Sequence, residues 1–361
     1  MNVQGTVEAG FEGVREEFAR VASADGAQLA VYAHGRRVVD LWTEVRGDSL
    51  HALYSSAKGA AHLVTALLVQ EGVLELDQRV AHYWPEFAAE GKAGVTLRQV
   101  LAHQAGLVGV EGGFTTTELA DDRLIAKRLA GQRPLWEPGT AYGYHAFVIG
   151  ALTGEVVRRV TGASIQELYE RRVRAPYELD FYLGLPEAQE PRYDPVRPAG
   201  RQPEPDPRGL MAVAFNVPTD LVAFANTRET RALGSSSAGS VGNARGLAGM
   251  YAAAIGVLDG RPALLAPETV AEFSRVHAEG GDLVTGESRP FGLGFVPMAA
   301  RYPFADRRAF GHSGAVGALS FADPGRGLAY AYTRRRFSPA GGAWGAPEND
   351  TLVTALYNAT T

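Results

Sequence analysis

Ser55 and Lys58 stand three residues apart in "LYSSAKGAAHLVTALLVQEGVLELD", which runs from Leu53 to Asp77. At the start of a helix that spacing puts both side chains on one face, about 5–6 Å apart at Cβ. A serine hydroxyl is a weak nucleophile that needs a base within reach, and a buried, partly neutral amine one turn along can serve. The unpaired N–H groups of a helix N-terminus can also stabilise an oxyanion as it forms. Of 35 lysines and arginines in the chain, only Lys58, Lys92 and Lys127 are lysines. Arginine keeps its proton near neutral pH, whereas lysine gives it up when desolvated or placed near another cation. We therefore read Lys58 as a titratable amine, and Lys92 and Lys127 as ordinary surface lysines. Ser56 lacks such a partner, because its i+3 residue is Gly59. A fortuitous S-x-x-K match in this composition is on the order of 10%, so the pair needs further support.

Two other segments supply it. "WEPGTAYGYHAFVIG" (136–150) places a Pro-Gly turn before Tyr144 and an apolar, helix-like run after it. A tyrosine at such a junction can point its phenol into a cleft, and a neighbouring lysine ammonium would lower its pKa. The alternative for Tyr142 or Tyr144 is a packed aromatic. "FGHSGAVG" (310–317) is a glycine-rich strand along which backbone can approach a ligand closely. A core or capping role is the alternative for His312.

Together, "SSAK", the tyrosine of "PGTAYGYHA" and the late "HSG" resemble, in order and spacing, the three motifs of serine β-lactamases and penicillin-binding-protein-like enzymes. "LRQVLAHQAGL" is similar to that group's "LLxHxSGL" segment, and "FGLGF" (291–295) to its later strand. The similarity spans almost the whole chain and is strongest to the class C-like branch that includes family VIII carboxylesterases. The resemblance implies Ser55 as acylated nucleophile, Lys58 as its activating partner, and Tyr144 as general base and proton donor to the leaving group. It implies an oxyanion hole from the backbone N–H groups of Ser55 and Ala315, and substrate contacts from His312, Ser313 and Gly314. Two departures point toward esters and away from β-lactams or peptides. The usual Tyr-x-Asn reads Tyr144-His145-Ala146, and the Lys of Lys-Thr-Gly is His312, which removes a fixed cation for a substrate carboxylate. The expectation is a serine hydrolase acting on a small-molecule carboxylic ester through an acyl-enzyme. An acyltransferase or amide-forming enzyme using the same intermediate is the alternative. A β-lactamase, a DD-peptidase or a silent binding protein on the same fold is a lesser one.

The surrounding elements must hold these groups together. Phe11, Val14, Phe18 and Val21 recur at helical spacing, and "AQLAVYAHGRRVVDLWTEV" (27–45) reads as a hairpin about "HGR". "LVTALLVQ" (63–70) is apolar nearly all round and predicts a buried helix stopped by Gly72. Thr96 with Gln99, and Ser164 with Glu167, form capping-box patterns, and "HAFVIGALTGEVVRRV" (145–160) reads as a further helix. "GHSGAVGALSFADPGRGLAYAYTRRRF" contains two strands around "DPGRG", and "ENDTLVTALYNA" is a closing helix. The prediction is an α+β fold of the β-lactamase/transpeptidase-like kind. An antiparallel sheet built from both chain ends is flanked by terminal helices and joined to a mostly helical lobe. We expect one catalytic domain over 1–361, with an α/β lobe of about 1–54 and 241–361 and a helical lobe of about 55–240. The segment 186–207 carries seven of the chain's twenty prolines and is read as a long loop within one unit.

Composition excludes several classes. There is no cysteine, so disulfides, thiolate metal sites and a cysteine nucleophile are ruled out. A net charge of −5 with scattered arginines argues against a nucleic-acid partner. No apolar run approaches the ~20 residues that span a bilayer, and the N-terminal residues lack a signal-peptide pattern, so no membrane association and a cytoplasmic location are expected. "GSSSAGSVG" lacks a Gly-x-Ser-x-Gly elbow and reads as a loop before a helix capped by Asn243. His103 and His145 lack metal-ligand spacing, and His103 is expected to satisfy backbone near its helix end. No metal and no organic cofactor are expected; the oligomeric state is not legible.

Overall fold

The computed structural model describes residues 2–200, 209–338 and 344–360. Among them the strands are β1 (Gln4–Val7), β2 (Ala27–Ala33), β3 (Arg36–Thr43), β4 (His51–Tyr54), β5 (Phe181–Leu183), β6 (Ser240–Gly242), β7 (Val296–Pro297), β8 (Phe310–Ser313), β9 (Leu319–Asp323) and β10 (Leu328–Arg334). Seven of them make one antiparallel sheet in the order β1-β3-β2-β10-β9-β8-β7. β2 and β3 are the predicted hairpin, turning at His34 (φ 48°) and Gly35 (φ 75°), two left-handed residues of the kind a tight two-residue turn requires. β10 pairs with β2 from Leu328–Ala33 to Arg334–Ala27, which brings the two chain ends into one sheet.

Side-chain alternation along "LAYAYTR" explains how this sheet is covered. Tyr332 meets Phe18 edge-on, and the Tyr330 hydroxyl donates to Asn349 Oδ1, so both tyrosines face the terminal helices Glu12–Val21 and Glu348–Ala359. By the same alternation Ala329 and Ala331 take the other face, where the helix Ala244–Ile255 packs on β2, β9 and β10. β4, β6 and β5 form a second, three-stranded sheet, and the chain leaves β4 directly into the Ser55 turn.

The predicted buried helix runs from Ala57 to Gln70 and is buried continuously from Ala57 to Leu68, with Gly72 at φ 70° just beyond its end. Gly59 lets it lie close to the helix Ala244–Ile255, because a Cβ there would sit 2.5 Å from the Tyr251 hydroxyl. Both capping boxes form. No helix among the described residues is long and apolar enough to cross a membrane.

Several expectations need correction. β1 went unanticipated because its four residues, alternately exposed and half-buried, carry little hydrophobic signal. The glycine-rich strand read over 310–317 is a strand only at Phe310–Ser313, as β8, and the two strands around "DPGRG" are β9 and β10. "FGLGF" is irregular apart from a bridge between Phe291 and Ala278; the strand starts after it, at Val296. Lys92 is fully buried, and its ammonium donates to Ala89 O (2.8 Å) and Gln132 O (2.6 Å) above the Phe87 ring. It thus closes two loops of the helical region, whereas Lys127 is exposed as expected. Within the proline-rich segment expected to be a loop, Glu187–Arg192 form a 3-10 helix; the rest of 186–200 is irregular, bridged through Tyr193 to Leu50 and through Arg197 to Arg336, while 201–208 lie outside the described residues.

Candidate active site

Between His51 and Ala60 every residue is buried except Ser55, which is half-exposed at the floor of a cavity. Its predecessor Tyr54 is held at φ 47°, a left-handed conformation rare for a bulky residue. Tyr54 is anchored there by its hydroxyl on Leu221 O (3.0 Å) and by Ser240 Oγ on its carbonyl (3.0 Å). The turn therefore presents one hydroxyl to the cavity and sends the next residue, Ser56, inward.

Ser55 Oγ lies 3.1 Å from Lys58 Nζ and 3.0 Å from the Tyr144 hydroxyl. Lys58 is fully buried, and Nζ also donates to the carbonyls of Ala146 (2.6 Å) and Ser237 (2.8 Å). Among the described residues no carboxylate pairs with it. Burial pushes Lys58 well below the ordinary lysine range; Arg289 adds to the effect and Asp122 opposes it. The geometry suits a neutral amine: two N–H groups meet two carbonyls that can only accept, and the lone pair is left facing the serine hydroxyl. The ammonium would be satisfied by the same three oxygens, so a proton can pass from Ser55 to Lys58 without rearrangement.

Commitment of Ala146 O to Lys58 also explains why the helix predicted from 145 begins only at Ile149. Gly150 N–H, the natural partner of that carbonyl in a helix, donates to Ser237 Oγ instead (2.8 Å). The serine-rich stretch read as a loop before a helix thus lies buried against the lysine. It is held there by Asp122, which accepts from Ser235 Oγ, Ser236 Oγ and Ser236 N. Asn243 caps the following helix as predicted.

Tyr144 departs from expectation in one respect. Burial raises its pKa, against the lowering anticipated from Lys58; the opposing influences are the Arg289 guanidinium and the hydrogen bond to Ser55. Its ring is 5.0 Å from Lys58 Nζ and lies parallel to Phe291. His145 is fixed by Gly143 O (2.7 Å) and Leu107 N (3.3 Å), and His103 accepts from His145 N (3.0 Å), so His103 does satisfy backbone. Burial keeps His145 down at about 4 and His62 at about 3, and holds His103 and His312 well below the usual range, leaving a neutral imidazole shell at pH 7.

The 312–315 segment divides in two. Ser313 and Ala315 line the cavity; His312 does not. The His312 side chain is fully buried, stacked at 6.1 Å on Tyr144 with Nδ1 on Ser313 O, which removes it from direct substrate contact. Gly314 is needed for approach: a Cβ there would sit 2.2 Å from Leu53 O and 3.2 Å from Ser56 Oγ. The chain leaving β8 therefore runs hard against the Ser55 turn, and Ala315 and Ser55 line the same cavity. The backbone N–H groups of Ser55 and Ala315 show no hydrogen-bond acceptor among the described residues.

The cavity measures about 560 Å³. Its lining is largely apolar, with Met211, Phe215, Val217, Leu221, Val222 and Phe337, and also includes Thr285, Glu287 and Arg289. A serine flanked by an amine and a phenol at the floor of such a cavity is equipped for acyl transfer.

A model of the Beta-lactamase family matches residues 14–354. The chain belongs to the Beta-lactamase family. It is 29% identical over 343 residues to Esterase/beta-lactamase LipL of Mycobacterium tuberculosis, covering 86% of this chain and 77% of that protein. The solved structure of EstA from Arthrobacter nitroguajacolicus Rue61a superposes with a TM-score of 0.93 at 42% identity, covering 100% of this chain and 99% of that one. A family VIII carboxylesterase structure gives 0.90 at 34% identity, over 99% and 100%. With Ala146 in place of the asparagine of the Tyr-x-Asn pattern, Lys58 is held by the backbone carbonyls of Ala146 and Ser237. Sequence reasoning missed Ser237, dismissed with its serine run, and Arg289, whose only signal was its place two residues before "FGLGF".

Proposed function

We propose that the chain is a serine carboxylesterase acting on small esters with a substantial apolar group, through an acyl-enzyme on Ser55. The observation that carries this reading is the simultaneous contact of Ser55 Oγ with Lys58 and Tyr144 at the floor of a largely apolar cavity. Ser55 attacks the ester carbonyl as its proton passes to neutral Lys58, and the carbonyl oxygen becomes an oxyanion facing the Ser55 and Ala315 N–H groups. Collapse breaks the C–O bond to the alcohol, which takes the Tyr144 proton. The acyl-enzyme then holds a Lys58 ammonium and a Tyr144 phenolate. Water attacks next and gives its proton to the phenolate; the acid leaves as Ser55 Oγ recovers its proton from Lys58. The assignment of base and acid follows the two directions of shift, Lys58 down and Tyr144 up, although the pair titrates as a unit.

The likeness to Esterase/beta-lactamase LipL and to a family VIII carboxylesterase supports an ester as substrate. We read the described residues as one catalytic domain, because Tyr144 and Phe215 come from the helical region and Arg289 and Ala315 from the region that continues into the sheet. The apolar lining also favours an alcohol over water as acceptor, which makes acyl transfer the second reading. Incubation with a fluorophosphonate and mapping of the adduct by mass spectrometry tests the proposal, with Ser55→Ala as control. A stoichiometric adduct on Ser55 and loss of p-nitrophenyl ester hydrolysis in Ser55→Ala are expected. Intact hydrolysis in that variant would sink the reading. Product analysis with added alcohols separates hydrolysis from transfer.

A further inference from the structure

The acyl-enzyme just described carries a phenolate on a buried tyrosine, and burial by itself opposes that charge. Lys58 is an ammonium while that phenolate exists, but it must be neutral when Ser55 attacks, so it is not a standing charge beside the ring. The lasting positive charge comes from another part of the chain. Arg289 lies on the segment just before Phe291, and its Cζ sits 4.9 Å from the centre of the Tyr144 ring and 4.8 Å from that of Phe291. Phe291 lies nearly parallel to Tyr144, at 8° and 5.9 Å. The backbone is tied in as well: Tyr142 Oη donates to Arg289 O (3.0 Å), Leu283 N donates to Tyr142 O (3.1 Å), and Tyr144 N donates to Asp282 Oδ1 (3.1 Å). The segment 282–291 is thus bound to 142–144 at three points, and the guanidinium on the tyrosine ring is a built feature.

A cation against an aromatic face is attracted by the ring's negative charge density, and the attraction grows as phenol becomes phenolate. Low local polarity strengthens it further. Arginine side chains keep their charge in proteins, so the effect persists through the cycle. We propose that Arg289 is a positioning residue for the reaction, the standing counter-charge that favours the phenolate of Tyr144 and the neutral amine of Lys58 in the esterase mechanism above. The inference rests on that reading of the site. Among the described residues the other groups facing the pair include Asp282 at the Tyr144 backbone, His103 and His312 against its ring, His62 and Asp122 around Lys58, and Glu287 in the cavity lining. The three imidazoles are neutral, Asp282 opposes phenolate formation, and Asp122 opposes the neutral amine.

A fixed positive charge disfavours protonation of its neighbours, so Arg289 lowers both Tyr144 and Lys58. The test is kcat/KM against pH for a short-chain p-nitrophenyl ester with Arg289→Gln, Arg289→Met and Arg289→Lys, together with the pH dependence of fluorophosphonate labelling. Removing the charge should move both limbs of the profile to higher pH. At neutral pH kcat/KM should drop about tenfold or more, mainly through kcat, with Arg289→Lys recovering part of the loss. Arg289→Met keeps the apolar stem on the rings and serves if the Gln variant fails to fold. A profile whose limbs stay in place, whether the rate is unchanged or falls evenly at every pH, overturns the inference. Failure of the wild-type protein to label at Ser55 overturns the esterase reading instead, so the two failures are distinguishable.

Discussion

Replacing Lys58 by methionine isolates the amine from its stem. The side chain keeps its length and its place in the buried helix, but Ser55 loses its base and the carbonyls of Ala146 and Ser237 lose their shared donor. Both residues are buried, and an orphaned buried acceptor costs about 1–3 kcal/mol. Relief from burying the amine offsets part of this, so a net destabilisation of ~2 kcal/mol is expected, a melting shift of several degrees. A positioned general base contributes roughly 10²–10⁴-fold, and the rate of acylation should fall by that factor while Ser55 remains in place. The assay is single-turnover labelling with a fluorophosphonate beside steady-state ester hydrolysis, with thermal unfolding to confirm the fold. Hydrolysis within tenfold of the wild type would refute the assignment of Lys58 as base. A pH series adds a second check. Folding lowers the Lys58 pKa, so between the folded value and the ordinary lysine value the unfolded chain holds the extra proton and stability rises with pH. Lys58→Met should remove that contribution to the slope.

Tyr144→Phe leaves the ring stack intact but removes the proton donor, and a loss of about 10²-fold or more in kcat is expected, greatest for esters of poorly acidic alcohols. Equal effects on p-nitrophenyl and alkyl esters would argue against a leaving-group role. Gly314→Ala would push a methyl group into Leu53 O, forcing β8 away from the Ser55 turn. Overpacking of this kind costs about 1–3 kcal/mol. Loss of one oxyanion-hole donor costs a further 10²–10³ in kcat. A fully active Gly314→Ala protein would show that Ala315 N–H is not part of the hole.

Local sequence was sufficient where chemistry and structure share a short stretch. Ser55 and Lys58 are one helical turn apart, so the backbone alone brings them together. The hairpin, the capping boxes and the buried helix were legible for the same reason, each being settled within about ten residues. The pairing of the chain ends was legible from strand signals at both termini, and the structure makes it through the β2–β10 register.

What tertiary structure decided was the environment of those groups. Lys92 has the same composition bias behind it as Lys58, yet its burial depends on loops forty residues apart in sequence, closed on Ala89 and Gln132. The cation beside Tyr144 could be guessed as Lys58 from motif proximity, whereas the fold brings Arg289 onto the ring from 145 residues downstream. His312 occupies the position expected for substrate contact, but its ring is buried and stacked against Tyr144. Charge, burial and hydrogen bonding are sums over neighbours contributed by distant segments. The sequence by itself could name the reacting groups, while their protonation states and the shape of the cavity follow only from how the chain is packed around them.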